Sequence, residues 1–188
     1  MTIETIQPQP IARLARELSI ILIGTILLTL SAKMVVPFYP VPMSIQSLVV
    51  VSLGLFLGPV RGTFIVGVYL LEGLAGLPVF AGTPPAPSGP VYFMGPTGGF
   101  LIGFAFAAAT TGWIAQKLGR FGPALRASIA VLFGTVTLYS AGLFWLGNFV
   151  GYGQKLMSAG LFPFITGDLM KAAIAVVLYA IFHNRRSA

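Results

Sequence analysis

The sequence predicts an all-α protein, an integral membrane bundle of six transmembrane helices with both termini in the cytoplasm. Composition, spacing and charge bias each point there. Of 188 residues, 56% are apolar and only 8% charged, with a mean hydropathy of +0.93. Soluble domains carry about a quarter of their residues charged. At roughly 20 residues per crossing, six short helices account for most of this length. A single transmembrane domain over residues 1–188 is therefore expected, with 1–17 as a polar cytoplasmic N-terminal segment and no sizeable domain outside the bilayer. Cysteine is absent, which excludes a disulfide framework, an iron–sulfur site and a thiol nucleophile. Lys and Arg outnumber Asp and Glu by 11 to 4. Apart from the adjacent Arg185 and Arg186 they are scattered singly between apolar runs, which marks membrane topology and not a nucleic-acid partner.

The first run, Leu18–Val36, follows Arg13 and Arg16 and is interrupted only by Lys33. It is longer than a signal-peptide core and no small-x-small site follows it, so an uncleaved first helix is expected. "PFYPVP" (37–42) closes it. The second run is Ser44–Leu57 and the third Thr63–Gly76, divided by "GPVRG" (58–62), a helix breaker followed by a charge. Each of these two runs spans only about 21 Å as helix, against a hydrocarbon core of about 30 Å. The fourth, fifth and sixth runs are Gly98–Gln116, Ala124–Gly147 and Phe164–Phe182.

Charge bias decides between six crossings and five. With six, and the N-terminus inside, Arg13, Arg16, Arg61, Lys117, Arg120, Arg126, Arg185 and Arg186 are cytoplasmic, while Lys33 and Lys155 are outside. Treating the second and third runs as one re-entrant unit would reverse the bias. The positive-inside rule favours six. The long Pro- and Gly-rich loops, 37–42, 77–97 and 148–163, then all face outward, as expected of a protein that captures something there.

Asp168 and Lys171 are the prime site candidates. Three residues apart on a helix, they share a face, and Asp168 also gains from the positive end of the helix dipole. An ionisable residue inside a membrane usually faces a cavity or a partner; a purely structural ion pair is the alternative. Gln46, with Ser44 and Ser47 nearby, offers donors and an acceptor early in the second run. Either a ligand contact or a helix–helix hydrogen bond fits it. The loop 77–97 carries no charge, and Phe80, Tyr92 and Phe93 supply apolar walls. It reads as a lid over a mostly apolar ligand, with an ordinary packed loop as the alternative. "GPTGGF" (95–100) is not a phosphate loop, because no Gly-Lys-Ser/Thr follows. Gly98 and Gly99 allow close backbone approach there, and Thr97 is placed to cap the fourth helix. His183, the lone histidine, has no Cys or second His for a metal site or a triad. Glu72 is expected either to pair with Lys33 or Lys155 or to reach water.

Four stretches, "VPMSIQSL", "GLPVFAG", "GPTGGFLIGF" and "PFITGDLMKA", occur in that order between about residue 35 and the end of the sixth run. Together they resemble the BioY family, the biotin-binding S components of energy-coupling-factor (ECF) vitamin transporters. The resemblance implies a multi-pass protein of the cell inner (cytoplasmic) membrane that binds one biotin near the outer surface. Biotin would be cargo, with no cofactor and no metal. The partners implied are a transmembrane T subunit and two ATPase subunits. The family's Asp and Lys carry over onto Asp168 and Lys171, its glutamine onto Gln46, and its loop elements onto Gly82, Tyr92, Gly95, Thr97, Gly98 and Gly99. Some members carry an arginine after "VFAG"; this chain reads "TPPAPSGP" there, which leaves Lys171 or solvent to meet the biotin carboxylate. Gly24, Thr25, Thr29 and Ala32 give a loose version of the small-residue face that such proteins present to the T subunit.

A mostly apolar cavity with a few polar groups suits biotin's ureido head, thioether and tail. Asp168 is expected to accept from the ureido N–H groups, Lys171 to balance its charge and approach the ligand, and Gln46 to add to these bonds. An S component for another vitamin, or a carrier acting alone, is the nearest rival. An intramembrane enzyme would need more than one acid–amine pair.

Overall fold

Helix α1 spans Pro10–Lys33. The computed structural model describes residues 10–36 and 39–187. Residues 1–9 of the expected polar segment, and Pro37 and Phe38 of the first loop, lie outside the described residues. The helix begins before the expected position because residues 11–17 are good helix formers and continue it without a break. It stops at Lys33, short of Val36, because β-branched Val35–Val36 pair antiparallel with Met43–Ser44 as strands β1 and β2.

Helix α2 is assigned as one element, Gln46–Leu74, but it is folded in the middle. Gly58 adopts φ 81° and ψ 176°, a conformation open to glycine and strained for other residues. Pro59 then starts a second arm, at a position where its missing N–H costs nothing. Residues 46 and 69 would lie roughly 35 Å apart in a straight helix. Instead, Gln46 Nε2 donates to the Tyr69 hydroxyl at 2.7 Å. The arms 46–57 and 59–74 therefore run antiparallel, and the division expected at "GPVRG" is present.

The remaining helices are α3 Pro90–Met94, α4 Gly98–Lys117, α5 Pro123–Val150, α6 Gln154–Gly160 and α7 Phe162–Ser187. Five helices among the described residues, with the folded α2 taken as one, are long and apolar enough to cross a membrane. Helix α4 is central, packed against α2 and α5, while α7 lies against α5 and α2. Leu28, Ile65, Tyr69, Phe80 and Phe104 form the largest apolar core. Leu22, Phe64, Leu132 and Leu178 remain exposed, as helices facing hydrocarbon require.

Three of the four small residues expected to form an outward face of α1 are turned inward. Gly24 sits against Ile65 of the second arm, and Thr25 and Ala32 are buried. Thr29 is half-buried and the large Leu18, Leu22 and Leu30 are exposed, so the expected surface of Gly24, Thr25, Thr29 and Ala32 is not formed. The bundle has two chemically distinct ends. One carries Lys33, the start of α2 and the loop 77–97; the other carries the Gly58 fold, the α4–α5 turn and the end of α7.

Candidate functional site

Asp168 lies two turns into α7, and the pairing expected from its spacing is made. Lys171 Nζ donates to Asp168 Oδ1 at 2.7 Å, with both side chains mostly covered. Ser47, from the first arm of α2, donates to the same oxygen at 3.2 Å and accepts from Lys171 at 3.2 Å. Tyr139 of α5 donates to Oδ2 at 2.5 Å. Three helices thus converge on one carboxylate. A carboxylate has about four acceptor positions and an ammonium three protons. Among the described residues three of the former and two of the latter are used, which leaves one acceptor position on Oδ2 and one proton on Lys171.

This network forms one wall of a cavity at the end of the bundle that carries the loop 77–97. Phe100, Phe104 and Leu138 give it apolar sides, and Val41 and Met43 approach from the β-hairpin. Its free volume is about 70 Å³, below the roughly 300–1,000 Å³ of ligand pockets. Admission of a vitamin-sized solute therefore requires a wall to move. A larger groove of about 580 Å³ lies on the other side of Asp168, between α5 and α7. It is walled mainly by apolar side chains and includes exposed Leu132, Ile165 and Leu169, so it belongs to the lipid-facing surface.

The loop is anchored from below and from the side. Tyr69, which accepts from Gln46, passes a hydrogen bond to the Val79 carbonyl at 3.0 Å. Lys33 Nζ donates to the carbonyls of Pro78 (2.5 Å), Phe80 (2.9 Å) and Thr83, and lies 3.2 Å from the Thr83 hydroxyl. Phe80 is fully buried, stacked on Tyr92 at 4.9 Å and edge-on to Tyr69 and Phe93. The loop is therefore packed onto the bundle, yet Ala81 and Tyr92 still line the cavity. Tyr92 donates to the Ala81 carbonyl at 2.7 Å. Burial pushes its hydroxyl above the ordinary tyrosine value, partly offset by a hydrogen bond with Thr97, so it stays a donor.

Of the residues expected at the site, Asp168, Lys171, Gln46, Tyr92 and Thr97 line the cavity. Gln46 also satisfies the helix–helix alternative through Tyr69. Thr97 is at the N-cap of α4 but makes no capping bond with its side chain. Gly82, Gly95, Gly98 and Gly99 are not among the lining residues. Gly82 turns the loop with φ 73°, and the Gly95 carbonyl accepts from Trp145 Nε1 at 2.9 Å. A Cβ on Gly98 would fall 1.9 Å from the Phe93 carbonyl, and one on Gly99 2.1 Å from Trp145, so these two let α4 close on α3 and α5. Glu72 forms no salt bridge among the described residues, since Lys33 is engaged by the loop carbonyls. Sequence reasoning missed Tyr139. A tyrosine inside an apolar run needs a partner for its hydroxyl, and that was the available signal.

The chain matches the model of the BioY family over residues 4–188. It is 36% identical over 164 residues to the "Probable biotin transporter BioY" of Pyrococcus horikoshii, covering 87% of this chain and 94% of that one. It is 38% identical over 189 residues to the "Biotin transporter BioY" of Rhodobacter capsulatus, covering 92% and 97%. Among solved structures it resembles the S-component for biotin from an ECF-type ABC transporter. The TM-score is 0.80 and the identity 27%, covering 92% of this chain and 93% of that one.

Proposed function

The chain belongs to the BioY family, and we propose that the cavity beside Asp168 is where it captures biotin. It is a multi-pass membrane protein that takes up biotin as the S subunit of an ECF-type transporter, and it is not an enzyme. The observation that carries the site is that Asp168 and Lys171 line one cavity, Asp168 with an acceptor position left on Oδ2 and Lys171 with one proton left. A cyclic urea presents both N–H donors and a C=O acceptor, and so can use one group of each kind. In this reading Asp168 accepts from a ureido N–H and Lys171 donates to the ureido oxygen. Tyr139 and Ser47 hold the carboxylate in place. Gln46, Tyr92 and Thr97 complete the polar rim, and Phe100 and Phe104 receive the apolar body. Gly82, Gly95, Gly98 and Gly99 shape the surrounding loop and its junction with α4.

Six crossings with both termini in the cytoplasm are supported by the antiparallel arms of α2 and by the charge bias. Arg61, Lys117, Arg120 and Arg126 belong to the end with the Gly58 fold, and Lys33 and Lys155 to the end with the cavity. The first end is then the inner face of the cytoplasmic membrane, and biotin enters from outside. A transmembrane T subunit and two ATPases are the partners in this reading, because the sequence has no nucleotide-binding motif to supply energy.

The test is equilibrium binding of labelled biotin to the purified chain, with thiamine and riboflavin as competitors. Saturable binding displaced by biotin alone is expected. Equal displacement by another vitamin would reassign the ligand. Copurification with an ATPase separates an S subunit from a carrier acting alone.

A further inference from the structure

A second cavity, of about 230 Å³, lies at the end of the bundle opposite the biotin site. Its polar walls come from three separate helices: Gln116 of α4, Arg126 of α5 and His183 of α7. All three side chains can donate hydrogen bonds. Arg126 donates through Nη2 to the Tyr179 hydroxyl, and its guanidinium lies 5.0 Å from the Tyr179 ring. Its Nε is buried without a hydrogen-bond partner among the described residues. His183 stacks on the other part of this assembly, 4.1 Å from the same ring.

No acid of the described residues neutralises Arg126. Glu17 is bound to Arg61 at 2.6 Å, Asp168 to Lys171 at 2.7 Å, and Glu72 lies near the far end of the second arm of α2. Gly58 also lines the cavity, so the second arm starts beside it, and the first-turn N–H groups there add positive potential. The mouth adjoins the lipid-facing surface. Phe56 lines the cavity yet is partly exposed, and it packs edge-on against exposed Phe182 at 5.5 Å.

We propose that this cavity binds the phosphate group of an anionic phospholipid from the inner leaflet. A guanidinium fork matches phosphate oxygens better than a point charge does. Basic pockets between transmembrane helices on the cytoplasmic side are suited to such headgroups. The apolar rim at Phe56 and Phe182 places the acyl chains in the bilayer alongside. A free phosphate anion shares the headgroup chemistry but has no use for that rim.

The full chain is reconstituted in phosphatidylcholine nanodiscs with and without phosphatidylglycerol. Retained lipid is read by native mass spectrometry and stability by thermal unfolding. The wild type is expected to keep a phosphatidylglycerol molecule and to unfold at a higher temperature when that lipid is present. Arg126→Met should abolish both effects. His183→Phe, which keeps a ring against Tyr179, should weaken retention roughly tenfold. Biotin titration of each variant verifies that it is folded. If Arg126→Met does not fold, His183→Phe alone decides. Equal retention in the folded variants overturns the proposal. So does stabilisation by inorganic phosphate in pure phosphatidylcholine that matches the effect of phosphatidylglycerol, since the ligand would then be a free anion.

Discussion

Tyr139 and Asp168 meet through a hydrogen bond from the phenol to Oδ2, linking the middle of α5 to the outer part of α7. The bond fixes the rotation of the carboxylate and directs the shared edge of Oδ1 toward Lys171 and Ser47. Asp168 and Tyr139 both border the cavity and the lipid-facing groove, so the bond lies at the boundary between the two spaces.

Tyr139→Phe should therefore weaken biotin binding while leaving the bundle folded. The ring and its contact with Phe100 remain. A hydrogen bond to a charged group contributes about 1.5–3 kcal/mol, so a loss of roughly tenfold to a hundredfold is expected. Isothermal titration with biotin measures it. Unchanged or tighter binding would remove Tyr139 from the site.

Lys33→Met should loosen the loop without emptying the cavity's polar wall. One ammonium holds the carbonyls of Pro78, Phe80 and Thr83. Faster amide hydrogen exchange is expected across residues 77–94, with the interior of α4 unaffected. The cavity must widen to admit a ligand, so biotin association should also accelerate in stopped-flow traces. Identical exchange in the two proteins would show that the loop is held by packing at Phe80 alone.

Gly58→Ala tests the fold within α2. A side chain at φ 81° and ψ 176° costs on the order of 1–3 kcal/mol, and the new Cβ would lie 2.8 Å from Gln116 Nε2. A clear fall in the thermal midpoint is expected. Retained stability would mean that the arms can join in another way.

Glu17→Gln provides a contrast. Its pair with Arg61 is short, but both side chains are well exposed, and such pairs contribute about 0–1 kcal/mol. Stability and biotin affinity should stay within error of the wild type. A large loss in either would show that α1 is held to α2 by this contact and not by the packing of Gly24 on Ile65.

Much of this was legible along the chain, and the reasons are local. Asp168 and Lys171 are separated by one helical step, so their pairing follows from helix geometry. "GPVRG" contains the two residues that a reversal between arms requires. Other relations depend on which helices become neighbours, which spacing does not encode. Tyr139 meets Asp168 across 29 residues, and Lys33 reaches the Phe80 carbonyl across 47. The glycines of "GPTGGF" enter the site only through the family resemblance, while the close backbone approach expected at Gly98 and Gly99 is present. Which neighbours approach, Phe93 at Gly98 and Trp145 at Gly99, is not encoded in the spacing. On α1, size alone did not reveal direction, and Gly24, Thr25 and Ala32 face inward.

The most direct measurement is the affinity of purified wild type and Asp168→Asn for biotin, taken side by side by equilibrium titration. Asparagine keeps the size and the fold but lacks the charge that Lys171, Ser47 and Tyr139 surround. Affinity should fall by roughly tenfold to a hundredfold, the effect of removing one polar partner inside a pocket. An Asp168→Asn protein that binds biotin as tightly as the wild type would contradict the assignment of this carboxylate as biotin's acceptor.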